Sequence, residues 1–193
     1  MSSVLVAFAT KYGSTQEVAE AVAAALKERG IDVDVRPARE VKALDGYSAV
    51  VLGAPLYYFR WHKDARKFLD HHRKALVGLP VAVFALGPFA NEPDQFEDAR
   101  GRLDKALAER DWLSPVAVEV FGGKFDSAGL RFPDANPGMK KIPASDIRDW
   151  EAIRAWASAL PEVLGLGGRA TAEPPETPGS TEQSGTYTEE AGG

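Results

Sequence analysis

The chain has no cysteine and only three histidines and two methionines in 193 residues. Without a thiol there is no disulfide, no thiolate metal site and no cysteine nucleophile, so redox chemistry would need a bound cofactor. His71 and His72 are adjacent and cannot share a helix face, and His62 lies more than two turns earlier, so no metal site is expected. A G-x-S-x-G elbow is missing, and with it the signature of a serine hydrolase. No apolar run approaches the roughly 20 residues that cross a bilayer, and no cationic, apolar leader opens the chain. A cytoplasmic protein without a transmembrane segment is expected, with peripheral membrane contact left open. Charge of one sign is also scarce. The net charge is −5, and five glutamates against Arg169 beyond residue 164 account for −4 of it, leaving a nearly neutral body. That balance favours neither nucleic acid nor strong membrane attraction.

What is present is enough for one domain with a real core, given a 45% hydrophobic content. The most informative stretch is Val4-Leu5-Val6-Ala7-Phe8-Ala9, an apolar run that reads as a central parallel strand covered on both faces. Polar chemistry begins at Thr10. Thr10, Ser14 and Thr15 supply hydroxyls, Gly13 permits a close turn, and a helical pattern over residues 16–29 follows. Its first N–H groups lack intrahelical partners, and its dipole favours an anion. The alternative is an ordinary helix start, with Ser14 and Glu17 as a capping box. The loop is neither a Walker A motif nor Gly-x-Gly-x-x-Gly. A hydroxyl-rich loop with one glycine fits a mononucleotide better.

Further strands are expected over residues 31–36, 49–52, 79–86 and 116–121, and helices over 63–76, about 94–111, and from 146 until Pro161 limits the last one. Strands alternating with helices imply an α/β doubly wound sheet of five parallel strands in three layers. A wholly apolar first strand and a more amphipathic second one fit the order 2-1-3-4-5. Such a sheet binds its ligand beyond the carboxyl ends of its strands. A response regulator of the same topology would place carboxylates where the first strand ends, but Ala9 and Thr10 stand there. Residues 124–145, interrupted by Pro133, Pro137 and Pro143, read as an irregular excursion. The domain is expected to end at residue 164, with residues 165–193 an acidic, disordered tail rich in Gly, Pro, Ser and Thr. The G-x-G-x-x-A match at residues 165–170 has no strand before it and is rejected as a dinucleotide motif.

Four segments should meet at the crevice: residues 10–15, 53–62, 87–91 and 122–124. Three strands end directly in glycine, at Gly53, Gly87 and Gly122, which is either turn chemistry or close backbone approach to a flat ligand. Tyr57, Tyr58, Phe59 and Trp61 crowd one expected loop. They would flank a planar ring or plug the sheet. The helix behind them is basic, with Lys63, Arg66, Lys67, Arg73 and Lys74, by default a solvated face.

The run Phe8-Ala9-Thr10-Lys11-Tyr12-Gly13-Ser14-Thr15, with Ala19 and Val22 at their spacing, resembles the phosphate loop of the flavodoxin family, which binds FMN. Residues 54–69, 79–84, Val120-Phe121-Gly122-Gly123-Lys124-Phe125 and Asp149-Trp150-Glu151-Ala152-Ile153 resemble a branch of it, the menaquinone-dependent protoporphyrinogen oxidases. The resemblance spans residues 3 to about 164 and implies a flavodoxin-like fold with FMN as cofactor. The phosphate would lie on Thr10, Lys11, Tyr12, Gly13, Ser14 and Thr15. The ring would lie among Pro55, Leu56, Tyr57, Tyr58, Phe59, Trp61, Gly87, Pro88, Phe89, Asn91, Gly122 and Gly123. It further implies oxidation of a porphyrinogen-type substrate in haem biosynthesis, with Arg60, Lys63 and Arg66 meeting its carboxylates and a quinone as electron acceptor. Family members that oxidise porphyrinogen carry a longer, basic, aromatic insertion before the last helix, where this chain has a short, proline-interrupted segment. The alternatives are an electron carrier of the flavodoxin type served by a flavodoxin reductase, and a cofactor-free interaction domain of the same fold. No catalytic side chain and no oligomeric state is assigned.

Overall fold

A computed structural model describes residues 3–57, 60–131, 134, 135, 137, 138 and 141–167. The first strand, β1 (Ser3–Phe8), is followed by α1 (Ser14–Glu28) and β2 (Asp32–Pro37). β3 (Tyr47–Tyr57) turns back through β4 (Arg60–Trp61) into two short helices, α2 (Lys63–His71) and α3 (Arg73–Leu76). β5 (Val81–Leu86), α4 (Pro93–Ala108) and β6 (Ala117–Phe121) complete the sheet. A small pair, β7 (Lys124–Phe125) and β8 (Ser145–Asp146), precedes the last helix, α5 (Trp150–Val163).

The main sheet runs β2-β1-β3-β5-β6 with every neighbouring pair parallel, which is the expected 2-1-3-4-5 order counted over its five long strands. β1 lies inside the sheet, between β2 and β3, and from Val4 on it tolerates no water: Val4, Leu5, Val6 and Ala7 are fully buried. Strand alternation sends Leu5, Ala7 and Ala9 to one face, where they meet Phe68, Leu69 and Leu103 from α2 and α4. Val4, Val6 and Phe8 face the other way, against Val18, Val22 and Leu26 of α1 and Ile153 and Leu160 of α5. Each buried Val or Leu contributes about 1.5–3 kcal/mol of burial free energy.

Several boundaries differ from the sequence expectation, each for a local reason. The helix expected over 63–76 breaks at His72, a buried residue whose Nε2 sits 3.2 Å from the Val41 carbonyl oxygen. Pro161 does not end the last helix. Gly165, at φ +69°, does so by closing a Schellman motif, in which Leu166 N–H donates to the Pro161 carbonyl (2.8 Å) and Gly165 N–H to that of Glu162 (3.1 Å). Leu164 is buried and Leu166 packs on the α1/α5 core, so ordered chain reaches past the expected boundary at 164. The expected disordered tail lies, from residue 168, outside the described residues.

β6 forms one edge of the sheet. Two of its outward groups are answered by side chains: Val120 N–H donates to its neighbour Glu119 Oε1 (2.9 Å), and the Val118 carbonyl accepts from Arg100 on α4 (3.2 Å).

Candidate functional site

A cleft of about 410 Å³ opens beyond the carboxyl ends of β1, β3, β5 and β6. Such a volume lies in the lower part of the range of small-molecule sites. One wall is the loop between β1 and α1. Ala9 N–H is held by the Gly53 carbonyl (2.9 Å), and Gly13 N–H donates to Thr10 Oγ1 (2.9 Å), which curls the loop on itself. Gly13 then starts α1 from the left-handed region, at φ +90°, where a side chain would be strained.

The alternative of an ordinary capping box is not realised. Among the described residues no side chain caps α1. Glu17 instead accepts from Arg148 Nη1 (2.8 Å), and the same guanidinium makes a fork onto Asp146 and reaches the Ser14 carbonyl. Its bonds to Asp146 hold that carboxyl below the usual carboxylate range. Released from capping, Ser14 lines the cleft together with Thr10, Lys11 and Tyr12. Thr15 is completely buried just behind the cleft lining, which it does not join, and among the described residues its Oγ1 has no hydrogen-bond partner. A buried hydroxyl without a partner costs about 1–3 kcal/mol, which an oxyanion ligand at the start of α1 would remove.

The second segment is a hairpin rather than a loop. β3 continues through Gly53 to Tyr57, and β4 returns antiparallel to it, pairing Leu56 with Trp61 and Tyr57 with Arg60. Pro55 and Leu56 line the cleft. Trp61 does not: at 1% exposure it is part of the core, with Nε1 donating to the Ala54 carbonyl (3.3 Å). The plug alternative therefore holds for Trp61, while Tyr58 and Phe59 lie outside the described residues.

From the third segment, Phe89 lines the cleft, 41% exposed and tilted against Phe125 with centroids 5.3 Å apart. Gly87, Pro88 and Asn91 are not brought into it. Pro88 is buried with its carbonyl accepting from Gly123 N–H (2.7 Å), and Asn91 lines a separate depression beside Trp156 and Arg148. At each strand-end glycine a side chain would collide with, or press tightly on, neighbouring protein. A Cβ on Gly53 would stand 1.9 Å from the Phe84 ring, one on Gly87 3.0 Å from the Ala99 Cβ, and one on Gly122 2.2 Å from the Ile147 carbonyl oxygen. Gly123 is the exception in that it does line the cleft.

The opposite wall comes from the expected irregular excursion: Lys124, Phe125, Asp126, Gly129, Leu130 and Arg131. Asp126 Oδ1 accepts from Ala128 N–H (2.9 Å), closing an Asx turn ahead of Gly129. That turn was readable in Asp126-Ser127-Ala128-Gly129, but nothing in the sequence indicates that it folds back over the sheet. Arg60 and Lys63 are exposed and, like Arg66, do not line the cleft; Arg66 is half-buried with Nε lacking a partner. Among the described residues, the exposed cations that do line it are Lys11, Lys124 and Arg131. Among the described residues, no group of three or more His, Asp or Glu could hold a metal ion, and no helix is long and apolar enough to cross a membrane.

A doubly wound sheet with a hydroxyl-lined loop at the end of its first strand defines a flavodoxin-like protein. The family model described as a flavodoxin domain matches residues 5–143, and the chain belongs to that family. Among curated proteins it is 31% identical over 132 residues to the protoporphyrinogen IX dehydrogenase [quinone] of Escherichia coli (strain K12), covering 67% of this chain and 70% of that protein. Among solved structures, oxidised flavodoxin 2 from Bacillus cereus superposes with a TM-score of 0.55 at 21% identity, covering 83% of this chain and 99% of that one. Rubredoxin oxygen:oxidoreductase from Desulfovibrio gigas gives a TM-score of 0.51 at 15% identity, over 84% of this chain and 36% of that one. These structural likenesses establish the fold.

Proposed function

We propose that the chain binds one FMN non-covalently in this cleft and acts as an FMN-dependent oxidoreductase. The observation that carries the reading is the buried, partnerless Thr15 hydroxyl at the start of α1. Thr10, Ser14, Thr15 and the first-turn N–H groups would hold the phosphate. Pro55, Leu56 and Phe89, with the wall at residues 123–131, would enclose the ring. FMN supplies the electron-accepting chemistry when bound; the protein binds, orients and excludes water. A titration tests this: the protein should turn yellow and quench FMN fluorescence. FMN that stays fully emissive and dialysable would leave a cofactor-free interaction domain as the better reading.

For the substrate, we infer a reduced, carboxylate-bearing ring compound of the porphyrinogen type, its hydrogens lost to FMN and the electrons passed on to a quinone. The similarity to protoporphyrinogen IX dehydrogenase [quinone] supports this. So does the nearly neutral body, since a diffusing carrier gains from a strongly charged rim. Lys124 and Arg131, exposed at the cleft, are better placed for carboxylates than Arg60, Lys63 or Arg66. Porphyrinogen oxidation with a soluble quinone should lose most of its rate in Lys124→Ala/Arg131→Ala with FMN retained. Rapid reduction by a flavodoxin reductase without porphyrinogen turnover would identify an electron carrier instead.

A further inference from the structure

Lys11 and Tyr12 belong to the phosphate loop by sequence, yet both point across the cleft. The Lys11 ammonium and the Tyr12 hydroxyl donate to the same atom, Asp134 Oδ2, the tyrosine at 2.5 Å. The Asp134 side chain is 3% exposed, so this carboxylate is withdrawn from water and depends on its donors. It is also tied to the far wall: Asp134 N–H donates to the Arg131 carbonyl (2.8 Å), and Ala135 N–H to the same oxygen (3.1 Å). Arg131 and Leu130 line the cleft, so the turn that places Asp134 also places them.

We propose that Asp134 is a positioning residue of the flavin cleft. Its carboxylate joins Lys11 and Tyr12 to the turn after Arg131, fixes the two walls relative to each other, and takes Lys11 out of the phosphate's ligand set. The charge logic supports this. A carboxylate that neutralises Lys11 leaves little net positive charge there for a phosphate, whereas the Ser14 and Thr15 hydroxyls and the first-turn N–H groups of α1 are the donors left for an anion. Lys11 thus contributes to retaining any flavin, phosphorylated or not, and Thr15 discriminates between them.

The inference rests on the FMN reading, and the test separates the two. Dissociation of FMN and of riboflavin is followed by stopped-flow fluorescence in wild type, Lys11→Ala, Asp134→Ala and the double variant. Each single change should speed release of both flavins about tenfold, the effect of losing a charge-assisted hydrogen bond that is partly screened. The FMN-to-riboflavin ratio should stay within about twofold, and the double variant should be no faster than Asp134→Ala. An effect of Lys11→Ala on FMN alone, or additive effects in the double variant, would overturn the proposal. In parallel, hydrogen exchange of residues 126–131 in the unliganded protein should rise in both single variants, and more in Asp134→Ala, which also releases Tyr12. Unchanged exchange there would overturn it irrespective of any ligand. Wild type that binds neither flavin would defeat the FMN reading, leaving the exchange result to decide the tie.

Discussion

The two walls of the cleft are built on opposite terms. The β1–α1 loop grows directly out of a strand that is buried from Val4 to Phe8 and enters a fifteen-residue helix with seven buried residues of its own. Its position follows from the core. The far wall has two-residue strands at its ends, β7 and β8, and polar ties: Arg148 onto Asp146 at its return, Asp134 onto Lys11 and Tyr12 at its tip. Binding machinery rooted in a packed core is set by burial, whereas a wall laid over it depends on a few directional contacts. The loop should therefore resist substitutions that displace the wall.

The largest expected effect tests that asymmetry from the wall side. In Gly122→Ala the new methyl would meet the Ile147 backbone 2.2 Å away, an obstacle that cannot rotate aside. We expect a loss of about 3 kcal/mol, the upper end of overpacking costs, in denaturant unfolding, with weakened binding of FMN and riboflavin alike. The loop side is sharpened by Thr15→Val, for which two opposite signs are expected. FMN affinity should fall about ten- to hundred-fold, as for a lost hydrogen bond to a charged group, while the unliganded protein gains about 1 kcal/mol by shedding a buried, partnerless hydroxyl. Calorimetry with and without FMN reads both.

Arg148 joins the two walls, reaching Ser14 and Glu17 on one and Asp146 on the other from a side chain 3% exposed. Its partners are about half exposed, so Arg148→Met should cost only about 1–2 kcal/mol, smaller than a fully buried pair, measurable as a lower Tm. The smallest effect concerns pH. Burial pushes the His62 imidazole below its ordinary value of about 6.5, and its Nδ1 accepts Asp64 N–H to cap α2 at 3.2 Å. Burial likewise pushes His72 down. A depressed native pKa means that the unfolded chain takes up protons first. This stability is complete above about pH 6.5 and is lost as pH falls through the native values. His62→Asn keeps a capping oxygen without the titration and should flatten that decline by under about 1 kcal/mol between pH 7 and 5. An unaltered pH profile would refute the assignment.

The same asymmetry explains what could be read from the sequence. Residues 4–15 were legible because burial on both faces, a glycine with positive φ and a helix start each leave a compositional mark. Strand order followed from the same reasoning. Gly53, Gly87 and Gly122 were legible as close approaches, but their neighbours are Phe84, Ala99 and Ile147, which only the assembled sheet brings near. Trp61 turned inward because β3 runs five residues past the expected end, so that the hairpin register faces it to the core. Asp134 was invisible because its contacts span more than 120 residues of chain, and no local pattern records a pairing at that range.

The blocked edge of β6 has a bearing on how this protein behaves in company. A sheet edge with unanswered N–H and C=O groups can be extended by another chain. Here the Glu119 carboxylate and the Arg100 guanidinium already occupy groups on Val120 and Val118 that an incoming strand would need. A second copy would have to displace a charged side chain to use either of these two groups. The sheet is thereby discouraged from growing on this side, without a proline or a bulge in the strand itself.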